Sequence, residues 1–139
     1  MKSVLSKRIF NHSIQQVYEA YSDPALLCKW WGPHGFTNRF TEFAFEEGGL
    51  WDFMMIDEIG KEYHNQIVFK EITPEKNIKA RHVSAPVFDI DITFIPISDA
   101  QTEVQFQMIF EEEKVFTSLK DFVTEKNEEN FDRLGVVLG

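Results

Sequence analysis

The chain has 139 residues, 43% of them hydrophobic, which suits one domain with a real core and is too short for two ordinary ones, so residues 1–139 are expected to form a single domain. A formal net charge of -9 argues against partners held through phosphates, whether nucleic acid or an anionic membrane surface, because that binding draws on clustered Lys and Arg. Cys28 is the single cysteine, the residues before Lys7 and Arg8 lack the apolar core of a signal peptide, and no apolar run reaches the roughly 20 residues of a membrane span, so a cytoplasmic protein without disulfides or membrane insertion is expected.

Residues 3–10 read as a first strand ending at the turn-prone Asn11-His12. Ser13 with Gln16 forms a capping box, and Ile14, Val17, Tyr18 and Tyr21 follow at helical spacing. Asp23-Pro24 starts a second short helix through Leu26, Leu27 and Trp30, stopped by Gly32-Pro33. From Phe36 the period changes to two. Phe43 and Phe45 fall in phase, Glu46-Glu47-Gly48-Gly49 is a turn, and the third strand puts Trp51, Phe53 and Met55 on one face. The fourth places Tyr63, Asn65, Ile67, Phe69 and Glu71 together. The fifth turns Ile78, Ala80 and His82 inward, the sixth Phe88, Ile90, Ile92 and Phe94, and the seventh Val104, Phe106, Met108 and Phe110. Such alternation marks an antiparallel sheet with one face covered. The last segment is a helix whose stripe runs Val115, Phe116, Leu119, Phe122, Val123, Phe131, Leu134, Val137 and Leu138, starting either at Glu111-Glu112-Glu113 or at a later cap, Thr117.

Symmetric turns would set Trp51 opposite Ile67, Ile67 opposite His82, His82 opposite Phe88, Phe88 opposite Phe110, and Phe53 beside Asn65. His82, Asn65 and Glu71 would then be the polar groups on an aromatic face. The choice lies between a pocket with a few orienting polar groups and an ordinary core in which His82 is simply hydrogen-bonded and Asn65 marks a strand irregularity. For Glu71 a charge pair with Arg8 or Arg81 is expected. Fourteen phenylalanines either line a cavity or fill the interior.

Taken together, Val17-Tyr18-Glu19-Ala20-Tyr21, Asp23-Pro24, Trp30-Trp31-Gly32-Pro33, Gly35-Phe36, Gly48-Gly49-Leu50-Trp51, Glu71-Ile72-Thr73-Pro74-Glu75 and Asn130-Phe131-Asp132-Arg133-Leu134 resemble the heat-shock-protein ATPase activator homologue family, a branch of the START-like (SRPBCC) helix-grip proteins. The resemblance implies an α+β helix-grip fold, β-α-α-β-β-β-β-β-β-α, with a curved seven-stranded antiparallel sheet around a long C-terminal helix and a cavity between them. The eukaryotic co-chaperones behind the family name carry a further N-terminal domain, whereas this sequence starts at the first strand of the helix-grip unit, so chaperone activation is not carried over. Asn65 stands where many members place glycine, which would narrow or polarise the cavity.

The four histidines are isolated, so no metal site and no cofactor is expected, and Cys28 reads as a structural thiol. The leading reading is a non-catalytic module that binds a hydrophobic small molecule through Trp31, His34, Phe36, Trp51, Phe53, Met55, Asn65, Ile67, His82, Phe88, Phe106, Phe110 and Phe122. Within the Trp30–Phe36 loop, Trp30 is expected in the core and Trp31, with His34, at the cavity mouth. An alternative is a cyclase- or hydrolase-like enzyme with His82 as general base and Asn65 or Tyr63 orienting a carbonyl. A third is a protein-interaction or co-chaperone-like domain, with a homodimer among its forms.

Overall fold

The computed structural model describes residues 2–139. In chain order the elements are β1 (Ser3–Phe10), α1 (Ile14–Ser22), α2 (Pro24–Trp30), β2 (Thr37–Phe43), β3 (Leu50–Ile56), β4 (Glu62–Thr73), β5 (Asn77–His82), β6 (Phe88–Ser98), β7 (Gln101–Phe110) and α3 (Glu113–Leu138). The strands form one antiparallel sheet in the order β1-β7-β6-β5-β4-β3-β2. Every sequential hairpin from β2 to β7 pairs neighbours, and β1 closes the far edge against β7.

The helix starts follow the sequence. Ser13 Oγ accepts the Gln16 N–H while the Gln16 side chain accepts the Ser13 N–H, and Asp23 Oδ1 accepts the Ala25 N–H ahead of Pro24. Each bond satisfies a donor that the first helical turn leaves without a partner. α3 begins at the acidic run, with Glu112 at the N-cap, and Thr117 lies inside the helix.

The expected register holds across the sheet: Trp51 faces Ile67, Ile67 faces His82, His82 faces Phe88, Phe88 faces Phe110, and Phe53 faces Asn65. The register shifts at three places, Phe40/Glu42, Phe69/Glu71 and Pro96/Ser98 near the β6–β7 turn, and the first two modify the inward alternation. One between Phe40 and Glu42 allows Phe40 and Phe43, three residues apart, both to pack on Trp51. The other, between Phe69 and Glu71, turns Glu71 to the outer face opposite Lys79, with Nζ 3.9 Å from Oε2. The expected pair of Glu71 with Arg8 or Arg81 is therefore not formed. Arg8 joins β1 to α3 through Glu128 at 2.9 Å and Asp132 at 2.7 Å, and Arg81 bonds Asp89 and Glu111. Phe36 lies before β2 rather than opening it, its N–H donating to Pro33 O at 3.3 Å.

The aromatic residues do not fill the interior evenly. Phe40, Phe43, Phe45, Phe53 and Phe69 gather around Trp51 in edge and stacked contacts at one end of the concave face. Tyr21, Trp30 and Phe94 continue that cluster under α1 and α2. α3 is fastened at its C-terminal half, where Phe131 and Leu134 are buried. Val115, Phe116, Leu119 and Val123 of its N-terminal half are only partly buried, and Phe122 is 57% exposed. A gap remains between this half of the helix and the sheet.

Candidate functional site

The Trp30–Phe36 loop is held from three sides. Trp30 is 1% exposed, donates its indole N–H to Ala20 O at 2.9 Å and meets Tyr21 edge-on. Asn38 donates to the carbonyls of Cys28 and Trp31. From α3, Arg133 Nη1 donates to the carbonyls of Trp31, Gly32 and Pro33 at 3.2, 3.0 and 3.0 Å, and Nη2 to Lys29 O at 3.2 Å. One guanidinium thus takes up the Lys29 carbonyl that α2 leaves unpaired at its C-terminus together with the carbonyls of the cap and loop that follow. Burial pushes the Arg133 pKa down, and carbonyl dipoles rather than a carboxylate offset that cost. The Gly32 N–H donates to Asn130 Oδ1 at 3.1 Å. Gly32 has φ of 99°, and a side-chain methyl there would lie 2.6 Å from the Met55 methyl, so glycine answers both the conformation and the contact.

Beside this loop lies a cavity of about 580 Å³ between the concave face and α3. Its floor is Phe53, Ile67, Ile90, Phe106 and Met108 from the sheet; Trp31, Phe36 and Met55 stand at one end, His82, Asn65 and Phe88 at the other. The roof is one face of α3: Phe122, Val123, Lys126, Asn127 and Asn130. Gly32, Pro33, Tyr63, His64, Ala85 and Pro86 complete the rim.

The structure therefore brings together Trp31, Phe36, Phe53, Met55, Asn65, Ile67, His82, Phe88, Phe106 and Phe122 from the expected set, and Tyr63 from the alternative one. Trp51, Phe110 and His34 stand elsewhere. Trp51 is 4% exposed within the aromatic cluster, and lines instead a separate void of about 20 Å³, room for one water molecule. Phe110 is covered by Phe88 and Phe116. His34 is exposed, because the loop's positive-φ glycines carry it to the outer side of α3, where its N–H donates to Glu129 Oε1 and its ring faces Glu129 and Asp132. Trp30 and Trp31 are both buried, at 1% and 9%, so they differ in what they face rather than in exposure.

His82 is the buried polar group of the wall. Its ring stacks on Phe88 with centroids 4.6 Å apart, Nδ1 lies 2.9 Å from Pro86 O, and Nε2 lies 2.7 Å from Asn65 Oδ1. Burial lowers the His82 pKa, against the raising effect of the backbone oxygens around it. A neutral ring has one N–H and can donate to only one of these two oxygens, Pro86 O or Asn65 Oδ1. Tyr63 carries its hydroxyl away from His82, donating to Asp57 Oδ2 at 3.1 Å.

The lining residues missed by sequence reading are Ile90 and Met108 of the floor, Gly32, Pro33, His64, Ala85 and Pro86 of the rim, and, apart from Phe122, those of the roof. Lys126, Asn127 and Asn130 interrupt the apolar stripe of α3 between Val123 and Phe131, at positions that helical spacing turns toward the sheet. A polar break in an otherwise apolar stripe was the available signal.

Among solved structures, a solution structure of a protein from Arthrobacter aurescens superposes with a TM-score of 0.91 at 20% identity, over 98% of this chain and 85% of that one. A crystal structure from Nitrosomonas europaea gives 0.86 at 20% identity, covering 98% and 93%. The AHSA1 protein from Silicibacter pomeroyi gives 0.77 at 14% identity, covering 98% and 96%. At these identities the likeness establishes the fold alone, an α+β helix-grip. No protein with a curated description matches the chain in sequence. A family model does, over residues 11–139, and the chain belongs to the Activator of Hsp90 ATPase homolog 1-like family of the SRPBCC superfamily.

Proposed function

We propose that this protein is a non-catalytic binding module that takes up a small, largely hydrophobic molecule between the sheet and α3. The observation that carries the reading is the cavity itself, about 580 Å³ with mostly aromatic and aliphatic walls, within the roughly 300 to 1,000 Å³ typical of small-molecule sites. Its few polar groups suit orientation of a ligand more than chemistry on it. His82 is the best candidate for a general base, yet both ring nitrogens already face protein oxygens. The Tyr63 hydroxyl is likewise engaged by Asp57. A base needs a nitrogen within hydrogen-bond reach of the proton it removes, and the oxygen facing whichever ring nitrogen carries the lone pair would first have to move aside.

Trp31 in the wall and Trp51 at 5.0 Å from it supply an internal reporter. Titration of the purified protein with fatty acids, flavonoids and sterols should give a saturable change in tryptophan emission for at least one class. The absence of saturable binding across the panel, checked by calorimetry, would overturn the reading.

A further inference from the structure

We propose that the cavity is built for an amphipathic monocarboxylic acid, whose apolar body lies against the aromatic walls and whose carboxylate sits under α3 on Lys126 Nζ and the Asn130 amide. This rests on the reading of the cavity as a small-molecule site and names the chemistry of the ligand's polar end.

The charge distribution points first to this class. The chain carries 23 acidic residues, yet neither Asp nor Glu is among the lining residues, whose one lysine is Lys126 beside two histidines, His82 and the rim residue His64, which lies 2.8 Å from Asp52 Oδ1. An acidic surface repels an anion at long range, but salt screens that repulsion within about 10 Å, and the local environment then decides.

Donor bookkeeping points the same way. An ammonium has three N–H donors, and Lys126 directs one to Glu129 Oε2 at 3.1 Å. The same Nζ lies 5.4 Å from the centre of the Phe122 ring, another residue of the roof. Asn130 uses its carbonyl oxygen on the Gly32 N–H at 3.1 Å, and its NH2 has no hydrogen-bond partner among the described residues. Residues four apart lie one above the other on a helix face, so Lys126 and Asn130 present an ammonium and an amide NH2 along one edge of the cavity. The remaining ammonium N–H donors and a free amide NH2 on successive turns of one helix suit the two oxygens of a carboxylate. At the opposite end protein oxygens stand 2.9 and 2.7 Å from the two ring nitrogens of His82 and leave neither open to a ligand, so that end accepts the apolar part.

The test uses three ligands with the same ten-carbon chain, decanoate, decan-1-ol and decylamine, titrated by tryptophan fluorescence and calorimetry at pH 7.5. One charge-assisted contact corresponds to about a tenfold preference, so decanoate should bind about tenfold more tightly than decan-1-ol, with decylamine weakest. Lys126→Met should remove that preference while leaving the alcohol's affinity within about twofold. Glu129→Gln, which keeps Lys126 and removes its competing carboxylate, should leave decanoate binding unchanged or tighter. Equal binding of acid and alcohol, an undiminished preference in Lys126→Met, or weaker decanoate binding in Glu129→Gln would overturn the carboxylate assignment while leaving the cavity reading intact. Failure of all three ligands to bind would overturn both.

Discussion

Arg133 offers the sharpest test of how α3 holds the tryptophan loop. Its guanidinium donates to four carbonyls, those of Lys29, Trp31, Gly32 and Pro33, over distances of 3.0 to 3.2 Å. Nη1 has two protons for three of those oxygens, so the arrangement amounts to about three effective bonds rather than four. A hydrogen bond from a charged donor contributes about 1.5 to 3 kcal/mol when its partner is lost to burial, and partial exposure reduces that. Arg133→Met, which keeps the stem and removes the donors, should therefore cost about 3 kcal/mol. With an unfolding entropy of about 2.1 cal/mol/K per residue, this corresponds to a fall in Tm of about 10 °C for a chain of this length. Arg133→Lys should lie between the two, because one ammonium cannot span the whole fan of carbonyls. Thermal melts followed by far-UV and near-UV circular dichroism measure both the stability and the fixed environment of Trp30 and Trp31. A Tm for Arg133→Met within about 2 °C of the parent, with an unchanged near-UV spectrum, would refute the clamp.

Other expectations follow from the same contacts. Gly49→Ala should prevent correct folding of the β2–β3 hairpin, since the new methyl carbon would stand 2.0 Å from Ala44 O, whereas Gly48→Ala meets open space and should cost only about 1 kcal/mol for its positive φ; soluble yield and urea midpoints separate the two. Trp30→Ala should lose about 3 to 5 kcal/mol as a filled core position is emptied, while Trp31→Ala should alter ligand uptake more than stability. Equal losses from both, with binding unaffected, would reject that division. For His82 the folded-state pKa lies below the unfolded one, so the unfolded chain binds the extra proton first. The stability from its neutral form is full above the unfolded pKa and is lost as pH falls toward and through the folded one. Urea midpoints compared between pH 7.5 and pH 5 should accordingly drop more in the parent than in His82→Gln, and parallel curves would remove His82 as the cause.

Much of the site was legible before the fold was known, for definite reasons. Period-two alternation together with short turns aligned His82, Phe88 and Ile67 on one face, because a strand has only two faces and a tight turn leaves little freedom of register. Trp51 and Phe110 lie on that same face but outside the cavity, since alternation assigns a side and says nothing about which neighbours cover it. The bulges at Phe40/Glu42 and Phe69/Glu71 were not foreseen. An extra residue in one strand depends on the strand beside it, and Glu71 changed faces as a result.

The family motif gains a physical meaning only in three dimensions. Asn130 and Arg133 belong to one run of the sequence and Trp30-Trp31-Gly32-Pro33 to another about a hundred residues earlier, yet the first supplies the hydrogen bonds that hold the second. By itself the sequence determined the order of the elements, the caps of α1 and α2, and, away from the bulges, the strand register and the inward face of the sheet, because each follows from local periodicity and turn chemistry. Tertiary structure alone decided that α3 leaves the sheet along its first half, so that a cavity remains and Lys126, Asn127 and Asn130 roof it. Hydrophobic spacing specifies which face of a helix turns toward a sheet, but the gap beneath that face depends on the curvature of the sheet and on where the helix is anchored, here at Phe131, Leu134 and Arg133.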